Sequence, residues 1–450
     1  MLSASRGMMH NRYEVEISSL KLHSIAISDP PLRSSYGLHA PWALRTIVEL
    51  ETGDGITGIS ETYGGDKPRA ALEAAREALI GTDPFQLASI YRKICGGRTQ
   101  DGGVEGGHTQ TWLVPGENPL DQNNRTFAAL EIACLDIIGK AIDKPVCDVI
   151  GGRVRDRVPF SAYLFYKHKG GGGDGQYADE YGEVLDPRAA VRECRQMVRK
   201  YGFRDIKLKG GVLEPAIEVE TIRQLRAEFG GAVPLRIDPN CAWSVDTSVQ
   251  VGESLREELS NGGYLEDPCP SLEGMGEVRT RLRKKGMDMP LASNVAVTQF
   301  RDVPCAREVD GVQIVLSDPH YWGGLRQVQY LAHLCEVLGM GMSMHSNSHL
   351  GVSLMAMAHA AAACPNLTYA CDTHYPWQTE RDEIVAGGRI PFHEGAVLIP
   401  AKPGLGVELD YDQLARGRER YEKIPFRKRD DEAEMRRHVD SNWKRIVPRW

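Results

Sequence analysis

Paired cysteines are missing from this chain. Ten Cys are spread over 450 residues with no C-x-x-C pair and no regular framework, which excludes a disulfide-stapled secreted scaffold. They read as reduced and mostly buried thiols. Long apolar runs are missing too: no window reaches the ~18 residues of a membrane span, and the best stretch, Leu350 to Cys364, is short and carries His359. Met1 to Arg12 is polar and has no apolar signal core. A soluble cytoplasmic protein is expected. Nor is there an excess of positive charge, since 54 Lys plus Arg against 61 Asp plus Glu leave −7. That balance argues against a nucleic-acid partner, and a small anionic substrate would need local cations or a metal.

Hydrophobic content of 42% and charged content of 26% are those of a globular chain able to bury a sizeable core. Residues 13–29 and 43–63 are β-rich, and Thr46 to Leu50 and Gly55 to Ile59 flank a Thr52-Gly-Asp-Gly55 turn, which predicts a hairpin. Pro68 to Ile80, Asp83 to Ile94 and Thr126 to Ile142 carry helical periodicity. Residues 1–150 therefore read as an α+β unit. The Gly-, Asn- and Pro-rich stretch from Asp101 to Asn124 and the glycine run 170–173 read as mobile loops.

From about Val158 the pattern changes. Eight short apolar runs, at 160–164, 205–209, 235–238, 263–266, 290–294, 312–316, 341–345 and 367–371, alternate with helical patterns. Such alternation implies right-handed βαβ units and a parallel sheet, and eight units close a barrel. The expected fold is α/β with α+β, its barrel spanning residues 151–376. The charged segment 377–450 is expected to pack back on the N-terminal block.

Polar residues stand at the ends of successive runs: Lys209, Asp238, Glu266, Asn294, Asp318 and His345, spaced 29, 28, 28, 24 and 27 residues apart. Equivalent positions on successive barrel strands face one mouth, where such barrels build their active sites. Asp238, Glu266 and Asn294 offer oxygen donors only, which suits Mg²⁺ rather than Zn²⁺. Glu273 is a rival second ligand but lies beyond the strand. A zinc hydrolase is disfavoured for the same reason, and the first strand has no His-x-His pair. The period-two pair Lys207 and Lys209 puts both ammonium groups on one strand face. Lys209 can serve as a base near a metal and a second cation, while Lys207 stays charged. Asp318 can hold the tautomer of His345 and make it a second base. Two bases around a metal-bound carboxylate point to removal of the proton next to that carboxylate.

The segments Ile206-Lys-Leu-Lys-Gly-Gly-Val-Leu213, Asp238-Pro-Asn-Cys-Ala-Trp243, Glu266-Asp-Pro-Cys269, Ser317-Asp-Pro-His-Tyr-Trp322, His345-Ser-Asn-Ser-His349 and Asp372-Thr-His-Tyr-Pro-Trp-Gln378 closely resemble the glucarate dehydratase family, in the mandelate racemase branch of the enolase superfamily. The resemblance implies a modified TIM barrel, (β/α)7β, closed by an α+β enolase-type capping domain built from both ends of the chain. It implies Mg²⁺-dependent syn elimination of water from D-glucarate, or its epimer L-idarate, to 5-dehydro-4-deoxy-D-glucarate. By the match His345, paired with Asp318, removes the C5 proton of D-glucarate, and Lys209 does so from the other face for L-idarate. Lys207 and Asn347 stabilise the resulting enolate. Asn240 and Asn294 contact substrate beside the metal, and His39, Thr109, Tyr163, Ser346, His374 and Arg429 match further substrate contacts. Arg429 suits bidentate capture of the distal carboxylate.

The sequence departs from the family at Cys241, where relatives have Gly, at Ser348 and Tyr375, and in a shortened loop after Phe165. Another aldarate dehydratase or epimerase, and an inactive paralogue, remain open. The expected partner is a small dicarboxylate sugar acid, with a homo-oligomer as the prior.

Overall fold

The structure is a computed structural model that describes residues 15–96, 121–171 and 177–450. Thr109, most of the stretch 101–124 and part of the 170–173 glycine run lie outside the described residues.

The N-terminal block is built on an antiparallel sheet of β1 (Ile17–Ser28), β2 (Trp42–Thr52) and β3 (Thr57–Tyr63), with β2 central. β2 and β3 form the expected hairpin. Thr52 closes its turn, accepting at Oγ1 from Ile56 N at 2.9 Å and at its carbonyl from Gly55 N at 3.0 Å. The helix Asp121–Ala141 covers the sheet and buries Phe127, Leu130, Cys134 and Ile137. Asp121 already lies in this helix, so the end of the expected loop is helical.

The charged tail returns to this block. Its helix Tyr411–Lys423 lies on β1, where Arg420 Nε donates to Ala26 O at 3.0 Å and Tyr421 and Ile424 close over Ala26. The next helix, Asp431–His438, lies on Gly37–Leu38, with Met435 and Trp443 packed on Leu38. Gly37 sits at φ 141°, and a Cβ there would stand 2.3 Å from the Asp431 carbonyl oxygen. Only glycine permits that approach.

Seven parallel strands follow in sequential order: β4 (Ala162–Phe165), β5 (Ile206–Lys209), β6 (Leu235–Asp238), β7 (Tyr264–Glu266), β8 (Leu291–Ser293), β9 (Ile314–Ser317) and β10 (Gly341–Met344). Each is buried on both faces apart from Gly341 at the start of β10, which is why they read as short continuous runs rather than alternating ones. Side-chain caps start the intervening helices: Asp186 accepts from Ala189 N, Ser244 from Thr247 N and Ser271 from Gly274 N.

The eighth run does not form a regular strand. Thr368 N and Tyr369 N both donate to the Met342 carbonyl, at 3.1 and 3.2 Å, and the extra residue breaks the ladder spacing. The ring still closes through isolated parallel bridges, Leu367 with Met342 and Cys371 with Phe160. The most apolar stretch is the 12-residue helix Gly351–Ala362, buried throughout. Among the described residues no helix is long and apolar enough to cross a membrane.

Candidate active site

Parallel strands deliver their C-terminal ends to one mouth. Lys209, Asp238 and Glu266 end β5, β6 and β7, while Asn294, Asp318 and His345 each follow the last residue of β8, β9 and β10. Lys207 lies deepest, beneath the Tyr163 ring with its Nζ 4.8 Å from the ring centre. The same Nζ stands 2.5 Å from Glu266 Oε2, 2.6 Å from Asp372 Oδ2 and 3.8 Å from Asp238 Oδ2. Burial alone would discharge this lysine, but Asp372 and Glu266 overrule it and raise its pKa well above the ordinary value. Lys209 Nζ stands 2.6 Å from Asp238 Oδ2. Asp238 also accepts from Asn240 N at 2.9 Å and Tyr163 OH at 3.4 Å.

Negative charge is in excess here. Glu266 is pushed well above the ordinary carboxylate range, first by burial and then by Asp238 beside it. Burial and Asp238 also push Asp267 up to about 6. Asp267 fixes the neighbouring loop, accepting from Ser293 Oγ at 2.6 Å and Asn294 N at 2.9 Å. The Asn294 side chain reaches Glu266: with its amide nitrogen turned inward it donates to Glu266 Oε1 at 3.1 Å and to Asp267 Oδ2 at 3.0 Å. Turned the other way, its oxygen joins Asp238 and Glu266 in an all-oxygen donor set fit for a hard divalent cation. Among the described residues no three His, Cys, Asp or Glu side chains group as a metal site, so the amide is needed to complete one. Glu273 stands away from this set, exposed on the helix Leu272–Lys284.

Across the mouth, His345 Nδ1 lies 3.2 Å from Asp318 Oδ2 and 3.1 Å from Tyr321 OH. A proton on Nδ1 directed at Asp318 leaves Nε2 as the free base. The carboxylate is shared, because His320 Nδ1 lies 2.7 Å from Asp318 Oδ1 and its Nε2 lies 2.8 Å from Ser353 Oγ. Burial would raise the Asp318 carboxyl, but His320 and His345 together hold it well below the usual range. His345 and Lys209 each keep 6% exposure whereas Lys207 keeps none, so the first two are the groups that can reach a substrate proton. Asn347 donates from Nδ2 to Tyr63 OH on β3, which ties the mouth to the cap.

The far end of the site is assembled from loops. Asp29 Oδ2 gathers His39 Nδ1 at 3.1 Å, Ser348 Oγ at 2.9 Å and an Arg429 terminal nitrogen at 3.1 Å. The other edge of the Arg429 guanidinium grips Asp431 at 2.5 and 2.7 Å. The expected bidentate edge is thus already engaged within the cap. Ser346 Oγ lies 2.8 Å from His374 Nδ1, and the His374 ring packs against Tyr163 and Phe165 with centroids 5.1 and 5.2 Å away. Burial, then His39, keep His374 neutral by lowering its pKa well below the ordinary value. Asn240 turns a buried side-chain oxygen that has no partner among the described residues.

Asp29, His320, Tyr321 and Asp372 belong to this constellation beside the expected residues. Asp372 stands 27 residues after His345, in phase with the series, so its position was available. The other three carry no periodic signal.

Residues 189–414 match the family described as "Enolase C-terminal domain-like". A probable glucarate dehydratase of Streptomyces coelicolor is 41% identical, over 97% of this chain and 99% of that protein. The chain belongs to the enolase superfamily. Solved members of the enolase superfamily superpose over nearly the whole molecule. An enolase of Pseudomonas fluorescens with bound magnesium, potassium and tartrate gives a TM-score of 0.89 at 43% identity, covering 97% of this chain and 100% of that one. One of Thermobispora bispora, complexed with magnesium and formate, gives 0.88 at 45% identity with the same coverage.

Proposed function

We propose that this chain is an acid-sugar dehydratase, a hydro-lyase, acting on D-glucarate or L-idarate with Mg²⁺ as its cofactor. The observation that carries the reading is the pair of differently built bases, Lys209 on β5 and His345 with Asp318 beyond β9 and β10, around one set of oxygen donors. The Streptomyces coelicolor relative supports the substrate class, and the magnesium in the two solved relatives supports the cofactor. Asp238, Glu266 and Asn294 would hold Mg²⁺, which supplies the positive charge without which the proton next to a carboxylate is too weakly acidic to remove.

In this reading Lys207 adds a second cation that its carboxylate partners keep protonated. His345 takes the C5 proton at Nε2 while Asp318 holds Nδ1, and then returns a proton to the departing C4 hydroxyl. Lys209 removes the C5 proton of the opposite epimer. Asn240, His39, Tyr163, Ser346, His374 and Arg429 hold the remainder of the diacid, and Asn347 assists Lys207. Residues 1–150 and 377–450 act together as the cap over a barrel of residues 151–376. Cytoplasmic residence and homo-oligomerisation belong to the same reading.

Incubation of the pure protein with Mg²⁺ and D-glucarate, L-idarate or galactarate tests it. The expected product from the first two is 5-dehydro-4-deoxy-D-glucarate. Turnover of another diacid alone would replace the substrate, and no turnover of any diacid would leave a non-catalytic relative.

A further inference from the structure

Away from the mouth lies a cavity of about 280 Å³ where three segments meet: Arg33 to Ser35 of the cap, Gly211 and Val212 just after β5, and the tail from Met435 to Trp450. Its lining is rich in donors and poor in acceptors. Arg33 is partly buried, and its guanidinium makes no hydrogen bond or ion pair with any described residue. Burial and then the neighbouring Arg449 work against its charge, and the Glu218 carboxylate only partly offsets them. Arg449 spends one donor on the Lys444 carbonyl at 2.6 Å and lies 5.0 Å over the Trp443 ring. The buried indole N–H of Trp450 has no acceptor among the described residues. Asp440 is the one carboxylate among the lining residues. Two neighbouring guanidiniums, of which Arg33 has no hydrogen-bonded partner among the described residues, leave donors free for an anion.

We propose that this cavity binds a small oxyanion-bearing ligand, a carboxylate or a phosphate, between Arg33 and Arg449. A guanidinium fork with added hydroxyl and indole donors is the donor arrangement such a group takes.

The cavity touches the loops that carry the active site. Ser35 Oγ donates to Asn240 O at 3.1 Å, and Arg449 N and Trp450 N donate to Ala242 O at 2.7 and 3.0 Å. Asn240 and Cys241, between those anchors, sit at φ 53° and 63°, a left-handed pair that non-glycine residues hold only when the surroundings impose it. On the other wall, the Glu218 carboxylate accepts from Gly211 N, Val212 N and Leu213 N at 2.9, 2.9 and 3.0 Å. An anion bridging cap, tail and these two loops would brace the chain next to Lys209 and Asp238. The inference stands on the cavity alone and does not depend on which sugar acid is turned over.

Thermal unfolding and tryptophan fluorescence of the magnesium-loaded protein, titrated with inorganic phosphate and separately with acetate, test it. The wild type should melt higher and change its Trp emission saturably with at least one of the two, and which one does so separates phosphate from carboxylate. Arg33→Gln should melt no lower than wild type without anion, because the guanidinium lost had no hydrogen-bonded partner, and should bind about tenfold more weakly. Arg449→Gln should weaken binding similarly, while anion binding at the barrel mouth is common to all three proteins and cancels in the comparison. The proposal is overturned if both variants titrate like wild type, if the wild type responds to neither anion, or if Arg33→Gln melts lower in the absence of anion, which would mean that the guanidinium already has an internal partner.

Discussion

The two ends of the active site are built differently. At the barrel end, Lys207, Lys209, Asp238 and Glu266 lie on three consecutive parallel strands, and their geometry follows from strand register: Lys209 pairs with Asp238 and Lys207 with Arg236 across β5 and β6. At the cap end, Asp29, His39, Ser348, His374 and Arg429 come from four separate loop segments and the tail; the Asp29 carboxylate joins His39, Ser348 and Arg429, while His374 pairs with Ser346. The first arrangement is rigid and repeats a single structural unit. The second can be re-cut by changing loops without disturbing the sheet, which suits a division in which the barrel supplies proton transfer and the cap supplies selectivity.

Breaking the barrel end should have the largest effect. Replacing His345 by Asn is expected to lower D-glucarate turnover by roughly 10²- to 10⁴-fold, the usual contribution of a general base, with little change in KM in steady-state assays. His320→Asn removes the second holder of Asp318. A loss of about 10- to 100-fold in kcat is expected, as for outer groups that orient a functional side chain. Because Asp318 sits far below the ordinary carboxylate range, it stays ionised through the working pH range. The acid limb of a wild-type pH–rate profile should therefore not report it.

The cap end should respond in binding instead. Arg429→Met is expected to raise KM about tenfold while kcat falls less, the pattern of lost uniform binding. An equal drop in kcat with KM unchanged would place Arg429 in the chemistry and dissolve the division.

The seam between the two regions gives the smallest effect. Glu131, on the cap helix Asp121–Ala141, accepts from Leu325 N at the start of a barrel helix at 2.6 Å, and burial pushes its carboxyl up to about 8. The folded protein therefore keeps a proton that the unfolded chain releases above the ordinary carboxylate value. Stability from this group is greatest at low pH and is lost as pH rises through that window toward 8. Between pH 6 and 8 the loss amounts to about 2 kcal/mol. Denaturant unfolding of Glu131→Gln at the two pH values should show a flatter dependence than wild type, and an unchanged slope would remove Glu131 from the account.

What could be read in advance follows the same division. The barrel residues were legible because one βα unit repeats, so Lys209, Asp238, Glu266, Asn294, Asp318 and His345 announce themselves by phase. Asp372 shares that phase, although it stands at the head of the Asp-Thr-His segment rather than at the end of a regular strand. The eighth run was legible as a strand but forms only bridges, because two consecutive amides share the Met342 carbonyl. Asp29 was not legible: it follows β1 in a loop, and its partners lie as far away as Arg429. Nor could the sequence show that Asp431, two residues on, would occupy the fork of Arg429. Cys241 was visible as a departure, and its φ of 63° shows why glycine suits that position.

The central claim is that two bases on opposite sides of one barrel mouth act on opposite epimers of an acid sugar. Proton NMR of the Mg²⁺-loaded His345→Asn and Lys209→Met variants, each incubated with D-glucarate and with L-idarate, tests it most directly. The account predicts that His345→Asn loses D-glucarate turnover and Lys209→Met loses L-idarate turnover. Unimpaired conversion of both epimers by both variants would contradict it.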